Sequence, residues 1–169
     1  MKTLLLLRHA KSSWNEPGQS DHARTLTARG RRAAELVSLY LAQRRDPPSL
    51  VLCSTARRAL ETVEPLRHRL GLPFETDGAL YLAEPEKILS RIAEVDDSES
   101  GVLVVGHNPG LHELALMLAA KGDGAARARL REGFPTAALA ILEVAIEQWG
   151  QLRPHCGTLV ELRVPKDLV

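Results

Sequence analysis

Cysteine is scarce: Cys53 and Cys156 are the two among 169 residues. Neither sits in a C-x-x-C pair and two cannot make a disulfide framework, so a reduced, cytoplasmic protein is expected. Long apolar runs are missing too. After Lys2 only four leucines, Leu4 to Leu7, precede Arg8. That is too short for a membrane span or a signal peptide, so these leucines belong to the fold. Nor is there an excess of charge of one sign. A formal net charge of +1 gives no global pull toward nucleic acid or membrane, and neither is expected as a partner. Any anion must be held by local cations. No repeat, low-complexity segment or linker divides the chain. At 44% hydrophobic and 25% charged residues, it is expected to form a single domain over residues 1–169 with a core of its own.

What is present is a recurring design. Leu4–Leu7, Leu50–Cys53 and Val102–Val105 are each four apolar residues in a row. Such runs suit strands covered on both faces, hence a parallel sheet. Each is followed by amphipathic helical sequence. Thr27 to Arg44 sets Ala33, Leu36, Val37 and Tyr40 on one stripe, and Ala56 to Leu70 sets Ala59, Val63, Leu66 and Leu70 on another. Pro109 to Ala120 is richly apolar, with Asn108 suited to the N-cap and Pro109 to the first turn. This order predicts an α/β fold in three layers, a mostly parallel open sheet flanked by helices on both faces. Ala138–Val144 and Thr158–Val164 read as a hairpin-like, antiparallel addition at one side. In the latter, Val160, Leu162 and Val164 alternate with Glu161 and Arg163. The acidic stretch from Glu94 to Gly101 reads as a solvated loop.

In such sheets ligands collect beyond the carboxyl ends of the strands. The first run ends on Arg8 and His9, the second on Ser54 with Arg57 and Arg58 a turn later, and the third on Gly106 and His107 before a helix. Two histidines and at least two arginines at one rim suit a phosphoryl group, because guanidinium forks match phosphate oxygens and helix N-termini favour anions.

The stretches LLRHAKSSWN, CSTARRALET and VVGHNPGL together resemble the histidine phosphatase superfamily, also called phosphoglycerate mutase-like. The small size and the RHAKS form resemble its SixA-type phosphohistidine phosphatase branch. The resemblance implies that His9 is the nucleophile, that Arg8 holds phosphoryl oxygens and that His107 is the second histidine of the pocket. The family's Ser-Pro-x-x-Arg-Ala block aligns with Ser54 to Ala59 and selects Arg58 over Arg57. Asn15 matches a phosphate-contacting asparagine of other branches, and Arg24 matches the arginine of an Arg-Pro-Leu stretch at the pocket mouth. Thr55 and Thr25 stand where the family has proline, and Glu61 where it has glutamine.

The chemistry is coherent without the family. A histidine nucleophile attacks in its neutral form, and flanking Arg8 and Arg58 should lower the pKa of His9. A backbone carbonyl accepting from the other ring nitrogen would fix the tautomer. His107, facing a bound dianion, should gain a proton and act as a third cation. No metal or cofactor is required.

Blander readings stand beside these. His107 and His112 are five apart, off one helical face, and no cysteine or carboxylate cluster completes a metal site. His22, His68, His112 and His155 read as surface or core-edge residues, Cys53 as inert packing, and Trp14 and Trp149 as core residues, although Trp14 is close enough to line the site. A serine nucleophile at Ser12 or Ser13 with His9 as base lacks a G-x-S-x-G elbow. Three functions therefore compete. The first is a phosphatase acting on phosphohistidine in a protein, such as a phosphotransfer domain. The second is a phosphatase or mutase for a small phosphorylated molecule. The third is a noncatalytic phosphate-binding module, which would need no nucleophile. The loop after Asn15 and the segment from Asp77 to Glu86 are too short for a large lid, which suits a side chain on another protein. Ester-cleaving branches of the family carry a general acid. Here Glu84 and Glu86 lie instead where acids favour a helix N-terminus, and SixA-type members resemble this chain in lacking the usual acid.

Overall fold

The computed structural model describes residues 1–14 and 16–169. Seven strands form one sheet: β1 (Lys2–Arg8), β2 (Leu50–Ser54), β3 (Phe74–Asp77), β4 (Gly101–Gly106), β5 (Ala119–Gly122), β6 (Leu139–Val144) and β7 (Gly157–Arg163). Five α-helices accompany them: α1 (Ala28–Ala42), α2 (Arg57–Leu70), α3 (Pro85–Ala93), α4 (Gly110–Leu118) and α5 (Gly124–Glu132). The strand order is β3-β2-β4-β1-β6-β7-β5. β6 is antiparallel to both neighbours, and the remaining pairings are parallel. This is the mostly parallel sheet expected from the apolar runs.

Alternation within those runs builds the three layers. Leu5 and Leu7 join Val51, Cys53, Leu103 and Val105 in a core covered by Val37 and Leu41 of α1 and by Ala59, Val63 and Leu66 of α2. Leu4 and Leu6 join Leu52, Val102 and Val104 in a second core. Ile88 and Ile92 of α3, Leu111, Leu114 and Leu118 of α4, and Leu130 of α5 cover it. Successive side chains of a strand point to opposite faces, so a four-residue apolar run has to be buried on both sides.

Four expectations need correction. On α1 the buried stripe is Ala34, Val37 and Leu41, while Ala33, Leu36 and Tyr40 are half-buried. The charged surroundings of these residues left the phase of the helix ambiguous by about one position. In β7 the alternation is broken by a register shift opposite Ile141 and Leu142, so Leu159 and Leu162 point inward and Val160 outward. A bulge resets strand phase, which a strict two-residue period cannot anticipate. Asn108 does not cap α4. The helix begins at Gly110 behind a cis Asn108–Pro109 bond, and the Asn108 side-chain nitrogen donates to the Phe134 carbonyl at 2.7 Å. The acidic loop before β4 is pinned rather than merely solvated. Buried Lys2 donates to the carbonyls of Asp97 and Glu99, and fully buried Trp149 donates from its indole to the Glu99 carbonyl.

β3, β5 and α5 have no counterpart in the sequence reading. Among the described residues no helix is long and apolar enough to cross a membrane.

Candidate active site

Parallel register brings the chemistry together. Arg8 of β1 pairs with Gly106 of β4, and Cys53 of β2 pairs with Val105. The residues just beyond, His9, Ser54 and His107, therefore emerge side by side at the carboxyl edge. The His9 amide donates to the Gly106 carbonyl at 3.1 Å, and the Ala137 amide donates to the Arg8 and His9 carbonyls. Ala10 is tied to α2 through its amide, which donates to the Thr62 hydroxyl at 2.9 Å. α1 closes on the same loop. A Cβ at Gly30 would lie 2.1 Å from the Lys11 carbonyl, so only glycine permits this approach.

The His9 and His107 rings lie 5.2 Å apart, both buried. His9 Nδ1 donates to the Ala10 carbonyl at 2.8 Å, leaving Nε2 as the lone-pair nitrogen. Arg58 Nε donates to that Nε2 at 3.3 Å. His107 Nε2 donates to the Ser54 hydroxyl at 2.8 Å, and its Nδ1 accepts from Arg58 Nη2 at 3.3 Å. Burial lowers the pKa of His9 to about 4. The Ala10 carbonyl opposes this shift, and the charges of Arg58, Arg8 and Arg24 reinforce it. Burial, His9 and Arg58 lower His107 to about 3. Both rings are neutral at ordinary pH. In the free pocket His107 is neutral because it is buried and its Nδ1 faces a guanidinium, whereas the cationic form expected of it belongs to the pocket with a dianion bound.

Arg58 is 2% exposed and turned inward, whereas Arg57 is exposed and pairs with Glu61. Adjacent helical residues are turned about 100° apart, so one faces the pocket and its neighbour cannot. Arg8 spends one terminal nitrogen on the Phe134 carbonyl at 3.2 Å, and its Nε is buried without a partner. Arg24, also buried, donates to the Ser12 hydroxyl at 2.6 Å and lies 3.5 Å from the centre of the exposed Trp14 ring. Trp14 thus belongs to the site and not to the core. Asn15 lies outside the described residues.

Asp21 of the pocket lining and Tyr81 behind it escaped the sequence reading, as did Leu82 and Thr136 of the lining. Asp21 sits in a short 3-10 turn, Asp21–Ala23. Its carboxylate accepts from Arg58 at 3.0 Å, from Arg24 at 3.1 Å and from the Tyr81 hydroxyl. Burial raises its pKa, but these donors outweigh that effect and hold it at about 2. Tyr81 also meets His107 edge-on, with ring centres 5.4 Å apart. The one available signal was an acid three residues before Arg24. Nothing in the spacing marked Tyr81.

The cavity bounded by these groups has a volume of about 420 Å³. Among the described residues Asp21 is the single carboxylate lining it. Asp77 accepts from the Ala79 amide and pairs with Arg91, and Glu84 and Glu86 lie outside the lining. The Ser12 hydroxyl accepts from Arg24, and the partners of the His9 ring nitrogens are Ala10 and Arg58, so no hydrogen bond couples His9 to Ser12 as its base.

Comparison with known proteins shows the family. Residues 4–81 match the model of the histidine phosphatase superfamily, branch 1. The chain is 39% identical to the uncharacterized protein MT1313 of Mycobacterium tuberculosis, over 95% of this chain and 100% of that protein. Two solved structures, each named "putative phosphohistidine phosphatase SixA", superpose on it. The one from Nakamurella multipartitia has a TM-score of 0.85 at 28% identity, over 97% of this chain and 96% of that one. The one from Agrobacterium tumefaciens has a TM-score of 0.80 at 32% identity, over 97% and 98%.

Proposed function

Because this chain belongs to the histidine phosphatase superfamily, in its SixA-type branch, we propose that it is a cytoplasmic phosphatase that removes the phosphoryl group from phosphohistidine in a protein. Residues 1–169 act as one catalytic domain. His9 Nε2 attacks phosphorus, the bond from phosphorus to the substrate's imidazole nitrogen breaks, and the ring departs. Water then attacks phosphorus on His9, releases orthophosphate and restores the free imidazole. The Ala10 carbonyl holds the reactive tautomer, while Arg8 and Arg58 face the charge on the transferring group. His107 and Arg24 complete the wall, and Asn15 is assigned to substrate by family resemblance.

One observation carries the choice of substrate. The single carboxylate lining the described pocket, Asp21, is held ionised by Tyr81, Arg58 and Arg24 and has no proton to give. An alkoxide leaves poorly without a proton, whereas a protonated imidazole departs as a neutral ring. Phosphohistidine needs no general acid from the enzyme, but a sugar phosphate does. Short loops around the mouth agree, since the path from β3 to α3 holds little beyond a 3-10 turn at Gly78–Leu80.

The test is a panel of a phosphohistidine protein, an aryl phosphate and several sugar phosphates. Turnover of the first two with slow hydrolysis of the third is expected. A marked preference for a sugar phosphate would favour a small-metabolite phosphatase.

A further inference from the structure

A trough of about 610 Å³ runs away from the active-site cavity, and the two share Lys11 and Thr136 in their walls. One bank is α1, which contributes Arg29, Arg32 and Leu36 at helical spacings of three and four. The other is the last 3-10 turn, Pro165–Leu168, with Lys166. From Arg29 to Leu36 the helix advances about 10 Å, the length of roughly three extended residues.

The side-chain charge on this trough is one-sided. Lys11, Arg29, Arg32 and Lys166 are all exposed, no aspartate or glutamate lines the trough, and none of the four pairs with a carboxylate among the described residues; exposed Val169 brings the one α-carboxylate in the lining. Elsewhere on the molecule arginines are commonly paired, as Arg44 is with Glu161 and Arg91 with Glu75 and Asp77. Beneath the cations the floor is apolar, with half-buried Leu36 and buried Val164. Arg29, Arg32 and Lys166 lie outside the cavity where the phosphoryl group reacts, which Arg8, Arg24 and Arg58 line, and Lys11 stands where the two meet.

We propose that the trough docks an acidic, partly apolar segment of the phosphorylated protein, next to the phosphohistidine that enters the cavity. This rests on the phosphohistidine-protein reading and adds the chemistry of the partner. Charge complementarity decides the occupant. Four unpaired cations over an apolar floor fit carboxylates alternating with aliphatic side chains. A nucleic acid would call for a broad basic face, whereas the chain's formal net charge is +1.

The experiment uses two phosphohistidine peptides with leucines at the same positions, one with aspartates and glutamates on both sides of the phosphohistidine and one with serines and glutamines instead. The wild-type protein is expected to show a KM at least ten-fold lower for the acidic peptide, with similar kcat and a preference that shrinks as salt rises. Arg29→Glu/Arg32→Glu should abolish the preference by raising KM for the acidic peptide, while hydrolysis of phosphoramidate stays at the wild-type rate. Both positions are exposed and in the first turns of α1, where an acid suits the helix dipole, so folding should survive. Lys166→Glu, on the opposite bank, should give a smaller loss in the same direction, and Arg29→Lys/Arg32→Lys should keep the preference. No preference in the wild type, or one that survives Arg29→Glu/Arg32→Glu, would overturn the docking site while leaving phosphohistidine as the substrate. If the wild type cleaves sugar phosphates but neither peptide, the substrate reading fails and the docking site falls with it.

Discussion

Arg58 Nε donates to Nε2 of His9 across 3.3 Å, meeting the imidazole at the one nitrogen that keeps a lone pair. The same guanidinium reaches His107 and both the backbone carbonyl and the carboxylate of Asp21. A single arginine thus fixes the free pocket and disfavours protonation of both rings.

His9→Ala is expected to abolish turnover and phosphoenzyme formation. The residue sits at the end of β1 on the cavity wall, so its loss opens a solvent-lined space and not a core void. Trapping with radiolabelled phosphoramidate followed by peptide mapping checks this, and label on any other residue of the wild type would exclude His9 as nucleophile.

Arg58→Ala should lower kcat/KM by at least about 100-fold, the usual scale for removing a donor to the transferring charge. Arg57→Ala removes an exposed pair with Glu61 and should cost less than about ten-fold. Steady-state kinetics on an aryl phosphate distinguish the two. Equal losses would mean that the inward turn of Arg58 has no catalytic consequence.

The pH dependence follows from the buried imidazoles. With its pKa lowered from 6.5 to about 4, His9 stays neutral and nucleophilic down to mildly acid pH, so the acid limb of kcat/KM should fall near pH 4. Stability moves with the same groups. Between pH 6.5 and about 4 the unfolded chain binds protons that folded His9 and His107 refuse. Folding stability should therefore decline as pH is lowered through that window. Thermal melts from pH 7.5 to 4.5 should show the decline, and it should be shallower in His107→Ala.

Glu84→Gln should leave every activity within about two-fold, because Glu84 lies outside the cavity lining. Phosphohistidine and aryl phosphates should be cleaved, and alkyl phosphates hydrolysed very slowly. Efficient turnover of an alkyl phosphate that vanishes in Glu84→Gln would make Glu84 the acid and a small metabolite the substrate.

The central sheet was legible because Leu4–Leu7, Leu50–Cys53 and Val102–Val105 carry a signal too apolar for a strand with one wet face. That Arg8, His9, His107 and the Arg57–Arg58 pair would share one edge followed from the rule for parallel strand ends, given those runs, and the choice of Arg58 from the family resemblance. The peripheral elements were not legible. β3 is four half-exposed or exposed residues, and β5 borrows its start from the apolar end of α4, so neither has a period of its own. Asp21 and Tyr81 were missed for a different reason. They meet across 60 positions of chain, in loops whose geometry depends on what they touch rather than on any local pattern.

Asp21 has one more consequence. Its carboxylate already occupies donors of Arg58 and Arg24 that a phosphate oxygen would seek. A basin of bare guanidinium groups would cling to orthophosphate once the reaction had made it, and release would throttle the cycle. Here the free anion must contend with a resident negative charge. With the proposed docking site, a phosphoryl group delivered on a larger molecule would bring further contacts to outweigh that rival, and orthophosphate none. The internal anion thereby tilts the pocket toward cargo and against spent product, which keeps the catalyst free for the next encounter.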